Sequence, residues 1–372
     1  MLLLSALLTA LLSAPAPAQA EQRDAELASA LTGYLEELRS ARGLPGVSAA
    51  LVLDDGTELA RAVGRAGDAA LAPDDLMLSG SIGKTYVAAL ALLLERDGKL
   101  KLDDKLSLHL GTRDWYARLP NGPDLRLRHL LRHQSGLARY INERAFWTQL
   151  VAEPDRVWKP EEQVAFIFER PAAFAPGEGF RYSDTNYLLL GMALEAAAGR
   201  PIYALVRERL LEPHGLRRTV PSDSRAIPGL APGTDELFRE LGVPERVIGP
   251  DGRFVVNPQF EWCGGGFAST PLDLARWARI LYGPGGEEGL LDSVPAPELG
   301  PDVRYGLGVI LRATELGELR GHDGVMLGYT ARMGWFPEHG IAVAVQTNVS
   351  KRGALDGDVL VELAELALAA RR

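Results

Sequence analysis

Only one cysteine, Cys263, occurs in the 372 residues. The chain can therefore form no internal disulfide framework and carries no CxxC zinc or redox pair. It also lacks a basic excess: 40 Lys and Arg stand against 49 Asp and Glu, a formal net charge of −9. Nucleic acid is thereby excluded as the main partner, because phosphate neutralisation needs clustered cations. No stable membrane span is expected in the mature chain, since the apolar stretch at residues 2–14 meets Pro15 and Pro17 before the ~20 apolar residues a span needs. Internal repeats and low-complexity tracts are absent too. What is present is ordinary globular material, 47% hydrophobic and 24% charged, long enough to bury a sizeable core unaided.

Residues 2–14 run through Leu, Ala, Ser and Thr, and Ala18-Gln19-Ala20 closes the stretch. An apolar segment of that length before an A-x-A site reads as a signal peptide. We therefore expect residues 1–20 to be removed, with the mature chain from Glu21 periplasmic or secreted.

Apolar residues at Leu27, Leu31, Tyr34, Leu35 and Leu38 predict a helix over 22–42. Strands follow at Val47–Leu53 and Thr57–Gly64, around the turn Asp54-Asp55-Gly56. Ser81–Asp97 reads as a helix closed by Gly98. More helices are expected near 126–133, 162–169, 186–198, 201–210 and 271–282. Strand patterns resume at Val303–Leu311, Gly328–Phe336 and Ile341–Thr347, and Leu355–Ala370 is a closing helix. Stretches 222–258 and 283–302 read as surface loops. The fold class is therefore α/β: one antiparallel sheet built from both termini and flanked by helices, with a mostly helical inserted lobe. Within a single domain, 21–372, the α/β lobe covers about 21–80 and 285–372 and the helical lobe about 81–284.

Ser81-Ile82-Gly83-Lys84 opens a helix, where positions i and i+3 share a face. Lys84 can then sit beside the Ser81 hydroxyl, and a buried Lys of lowered basicity can take a serine proton. Free backbone N–H groups at the helix start suit a developing oxyanion. These types and this spacing fit nucleophilic acyl transfer, although most Ser-x-x-Lys occurrences are a cap and a solvated Lys. Gly83-Lys84-Thr85 is no phosphate loop, because position 78 is Leu and not Gly. Position 79 is Ser, which excludes the G-x-S-x-G elbow.

Leu78–Thr85, Leu94–Leu100 and Leu102-Asp103-Asp104 carry a wider pattern. It continues in Leu130–Leu137, in Pro176-Gly177 with Phe180–Tyr187, in Gly264–Thr270 and in Gly321–Gly324. Together these motifs resemble the class C β-lactamase-like branch of the penicillin-recognising serine hydrolases, over about residues 25–365. That branch includes D-alanyl-D-alanine carboxypeptidases, esterases and D-aminopeptidases. The resemblance implies the β-lactamase/transpeptidase-like α/β fold, with Ser81 as nucleophile, Lys84 as its proton partner and Tyr182 as a proton-transfer phenol, pushed toward phenolate by the ammonium. It implies that His322, Gly324 and Val325 form the strand edge of the site. There Val325 N–H joins that of Ser81 as oxyanion donor, Gly324 makes room for a substrate strand, and His322, titrating near pH 6–7, orients Tyr182 or a substrate carboxylate.

Asp184 stands where the family commonly has Asn. It either alters substrate recognition, since ionised Asp cannot donate a hydrogen bond, or caps the helix 186–198. The implied activity is a secreted serine hydrolase that cleaves an ester, amide or D-amino-acid peptide through an acyl-serine, without cofactor or metal. Its substrate would be a small molecule or a peptidoglycan-like peptide. A class C-like β-lactamase and a non-catalytic penicillin-binding sensor are the alternatives. His129 and His133 lack the Glu and third ligand of a zinc site. Cys263 reads as a small core residue, and Trp147, Trp158 and Trp262 as packed or cleft-lining.

Overall fold

The computed structural model describes residues 17–371. The apolar stretch 2–14 lies outside the described residues, while Ala18-Gln19-Ala20 falls in the first helix, Pro17–Arg42. Nine strands form one sheet, in the order Ala69–Ala70, Glu58–Ala66, Gly46–Leu53, Ile341–Thr347, Tyr329–Phe336, Gly317–Met326, Ile310–Thr314, Arg304–Tyr305 and Val294–Pro295. Every neighbouring pair is antiparallel. The two termini meet in its middle, where Val47 faces Thr347 and Leu53 faces Ile341.

Strand Gly46–Leu53 is buried along its whole length, because helices cover both faces. Successive side chains point to opposite faces. Ala49, Leu51 and Leu53 join Leu27, Leu31, Leu35, Val359 and Leu363 of the two terminal helices. Ala50 and Val52 join Leu274, Trp277 and the helical block. Fully burying a Leu or Val side chain contributes about 1.5–3 kcal/mol, so this seam anchors the sheet between its helical layers.

Several expectations change. The strand expected over Val303–Leu311 is two, Arg304–Tyr305 and Ile310–Thr314, with Gly308 between them at φ 73°. Strand Gly317–Met326 has no simple alternation, yet Ile310–Thr314 holds one edge along Gly317–Gly321 and Tyr329–Phe336 the other along Arg320–Met326. Stretch 222–258 is not merely surface: Ala231, Val243, Val247 and Phe254 are core, and Thr234-Asp235 pairs in parallel with Val349-Ser350. Helix Pro271–Tyr282, assigned to the helical lobe, packs on the sheet, because Leu274, Ala275, Trp277, Ala278 and Leu281 form a buried face. The closing helix begins at Val359 and not at Leu355, after Gly357 at φ 78°.

Candidate active site

A short 3₁₀ turn, Gly80–Ile82, leads into the helix Gly83–Arg96. It places Ser81 at the floor of a cleft of about 930 Å³ between the sheet edge and the helical block. One turn on, Lys84 is fully buried and its Nζ donates to Ser81 Oγ at 3.0 Å. The same ammonium donates to Asp184 Oδ1 at 2.6 Å and to the Gly264 carbonyl, which uses all three of its protons. Burial lowers the basicity of Lys84, but Asp184, Tyr182 and Glu261 more than offset it, so its affinity for the proton is raised. The expected loss of basicity is therefore reversed: Lys84 rests as the ammonium.

Tyr182 is carried just before the helix Asp184–Ala198. Its ring lies under Lys84, 5.1 Å from Nζ to centroid. Its buried hydroxyl has no partner of good hydrogen-bond geometry, although Ser81 lies near enough to favour the phenolate. Burial wins over Lys84, and the phenol's hold on its proton is raised, not weakened as expected. His133 packs against the ring, with centroids 4.1 Å apart. His133 is buried in the left-handed region at φ 56°, and its Nδ1 accepts from Ser183 N at 3.2 Å.

The capping role weighed for Asp184 is excluded. Its helix starts at Asp184 itself with Ser183 at the cap position. The carboxylate instead bridges Lys84 and Arg139, the latter at 2.5 Å. Burial raises its proton affinity, but the two cations prevail and hold the carboxyl far below the usual range.

His322, Gly324 and Val325 lie on strand Gly317–Met326, which forms the opposite wall. A methyl group on Gly324 would fall 1.9 Å from the Ser79 carbonyl oxygen and 3.2 Å from Ser81 N. Gly324 therefore makes room for the backbone that carries Ser81, where a substrate strand was expected. Similarly, a methyl on Gly80 would meet Val325 N at 2.7 Å, so the amides of Ser81 and Val325 flank one corner of the cleft. Gly324→Ala should push the two walls apart and lower ester hydrolysis at least ~10-fold, since small displacements of reacting groups are costly. Initial rates compared with a thermal melt would check this.

His322 does not orient Tyr182. Its Nδ1 donates to the Asp323 carbonyl at 2.6 Å, and its Nε2 accepts from Tyr305 Oη at 3.0 Å. Burial and Lys84 push its pKa down to about 4, not the 6–7 expected. His322 is thus neutral at pH 7. Lys84 and Tyr182 both hold their protons there, so activity should rise with pH into the alkaline range. No inflection at pH 6–7 should come from His322, so the pH–rate profiles of kcat/KM for wild type and His322→Gln should have the same shape between pH 6 and 7.

Sequence reasoning missed Arg139, Tyr305 and Glu261. The Gly-punctuated Tyr305-Gly306-Leu307-Gly308 was a usable sign, but nothing in periodicity marks the other two. Trp147 lines the cleft. Trp158 and Cys263 are core, and His129 turns its Nδ1 to Arg126 N, away from any shared metal. Among the described residues no three His, Cys, Asp or Glu gather as metal ligands, and no single helix is long and apolar enough to cross a membrane.

A serine and a buried lysine one helical turn apart, a tyrosine ring beneath the lysine and a sheet edge opposite define a class. The chain belongs to the Beta-lactamase family, whose model matches residues 30–367. It is 26% identical over 321 residues to a D-aminopeptidase of Brucella anthropi, covering 81% of this chain and 55% of that protein. Over 207 residues it is 29% identical to the D-alanyl-D-alanine-carboxypeptidase/endopeptidase AmpH of Escherichia coli K12, covering 55% and 48%. The chain thus spans about half the length of these curated relatives. Its fold matches the D-amino acid amidase of Ochrobactrum anthropi SV3, solved with L-phenylalanine amide. There the TM-score is 0.75 and the identity 25%, covering 94% of this chain and 98% of that one.

Proposed function

We propose that this protein is an exported serine hydrolase that opens an amide, peptide or ester bond of a D-amino-acid derivative through an acyl-serine. The observation that carries it is the 3.0 Å contact of Lys84 Nζ with Ser81 Oγ, at the floor of an open cleft. The relatives named D-aminopeptidase and D-amino acid amidase support the substrate class.

The chemistry follows from proton positions. With Lys84 as ammonium and Tyr182 as phenol, neither can accept a proton. The pair must first lose one, and the resulting amine–phenol or ammonium–phenolate form is the base. Ser81 Oγ attacks the carbonyl carbon as its proton passes to that base, and the Ser81 and Val325 N–H groups receive the oxyanion. Collapse expels the amine or alkoxide, which takes the proton back. Water then repeats the sequence on the acyl-serine.

Export rests on residues 2–20, and amino-terminal sequencing of the protein recovered outside the cytoplasm should begin at Glu21. The activity is tested by intact mass over time with a penicillin, alongside hydrolysis of a nitrophenyl ester and of D-phenylalaninamide. Amide turnover with no lasting penicillin adduct is the expected result. A β-lactam adduct that clears with product would make the protein a β-lactamase. An adduct that stays, with no turnover of any substrate, would make it a sensor.

A further inference from the structure

The cleft contains four carboxyl groups, Asp184, Glu261, Glu298 and Asp323. Three are already engaged. Asp184 pairs with Lys84 and Arg139, and Asp323 pairs with Arg312 and Arg332. Glu298 accepts the Tyr182 backbone N–H at 3.1 Å. Glu261 alone receives no hydrogen bond or ion pair among the described residues; Lys84 and Arg139 act on it only from a distance.

Its position is set with care. A methyl on Gly265 would lie 2.5 Å from Glu261 Oε2 and 2.6 Å from the Gly80 carbonyl carbon. The carboxylate therefore stands beside the peptide bond that leads into Ser81, and the glycine keeps that space open. The next residue, Trp262, is held at φ 36°, ψ −114°, a strained geometry for a side-chain-bearing residue. Such strain costs on the order of 1–3 kcal/mol and collects at functional sites. Burial and Asp184 raise the carboxyl to about 7, so a cation placed against it would draw it into the ionised form. Beyond it the cleft turns apolar, with Ile141, Trp147, Leu237, Phe238 and Phe260 on its wall.

We propose that Glu261 is a specificity-determining residue that binds the α-ammonium of the acyl half of the substrate, so that this site takes amino acid derivatives with a free amino group. This rests on the hydrolase reading above and narrows its substrate class. The geometry suits it: an α-ammonium sits one carbon away from the carbonyl that Ser81 attacks. Glu261 stands one residue's reach from that serine, and the apolar wall can accept the side chain.

The test compares wild type with Glu261→Gln on two methyl esters, that of D-phenylalanine and that of 3-phenylpropanoic acid, which lacks only the amino group. Wild type should prefer the amino ester. Glu261→Gln should lose roughly 10- to 100-fold in kcat/KM on it, the worth of one hydrogen bond to a charged group. The loss on the amino ester should fall mainly in KM. Any change that Glu261 makes to Lys84 acts on both esters alike, so the reading is the ratio of kcat/KM between the two esters, which should fall by roughly that same 10- to 100-fold. Equal losses on both esters, or none on either, would overturn the proposal. D-Phenylalaninamide separates the two readings. If wild type cleaves the esters but not the amide, amide hydrolysis falls while the ester comparison still decides Glu261. If it cleaves neither ester, both readings fall.

Discussion

Ser81→Ala is expected to reduce ester and amide hydrolysis by roughly 10⁴-fold or more, the scale of losing a covalent nucleophile. No other serine near the site can substitute. Ser79 Oγ is buried and donates to the Phe267 carbonyl at 2.9 Å. Ser135 Oγ is held by Asn186 Oδ1, and Ser183 Oγ by the Ala138 carbonyl. Among the described residues only the Ser81 hydroxyl both contacts Lys84 and lines the cleft. The variant should fold as the wild type does, because removing one hydroxyl oxygen leaves the ammonium on Asp184 and the Gly264 carbonyl. Steady-state rates on a nitrophenyl ester, with a thermal melt as control, check both halves. Retained wild-type hydrolysis would remove Ser81 from the chemistry.

Much of this arrangement is legible in the sequence, and the limits are physical. Ser81 and Lys84 can be paired because a helix puts i and i+3 on one face, and that pairing recurs at 3.0 Å. The central strands 46–53, 329–336 and 341–347 are unbroken β-rich runs and were read within a residue. Strand 317–326 escaped pattern reading, since Gly317, Gly321 and Gly324 replace the alternating apolar residues. Its backbone is held by the two strands next to it in sequence, Ile310–Thr314 and Tyr329–Phe336, through tight hairpins at 314–317 and 326–329. The proton states were misjudged for a different reason, because the charges come together only in the fold. Which charges surround Lys84 depends on Asp184, 100 residues away, and on Glu261, further still. Likewise His322 reads in the sequence as a group titrating near neutrality, whereas burial and the nearby Lys84 ammonium push it down.

Asp184→Asn carries the second large effect, and it has two parts. At pH 7 the ionised Asp184 neutralises a fully buried ammonium and a partly buried guanidinium. The amide leaves both charges uncompensated, and breaking a buried pair in this way costs roughly 3–5 kcal/mol. The melting temperature should fall by several degrees. The sign of the pH dependence follows from linkage. The folded-state affinity of Asp184 for a proton is depressed, so its stabilisation is full above the ordinary carboxyl range, near pH 4. It is lost as pH falls further. The gap between wild type and variant should therefore be wide at pH 7 and shrink on acidification, as melts at pH 7 and pH 3 would reveal. The second part concerns the reaction. Asp184 is the strongest of the charges that keep Lys84 protonated. Without it the ammonium releases its proton more easily, and the rise of activity with pH should move at least about one unit toward acid. A destabilised variant whose pH–rate profile does not move would mean that Asp184 serves packing alone. A profile shifted to lower pH would identify it as the group that sets the charge of Lys84.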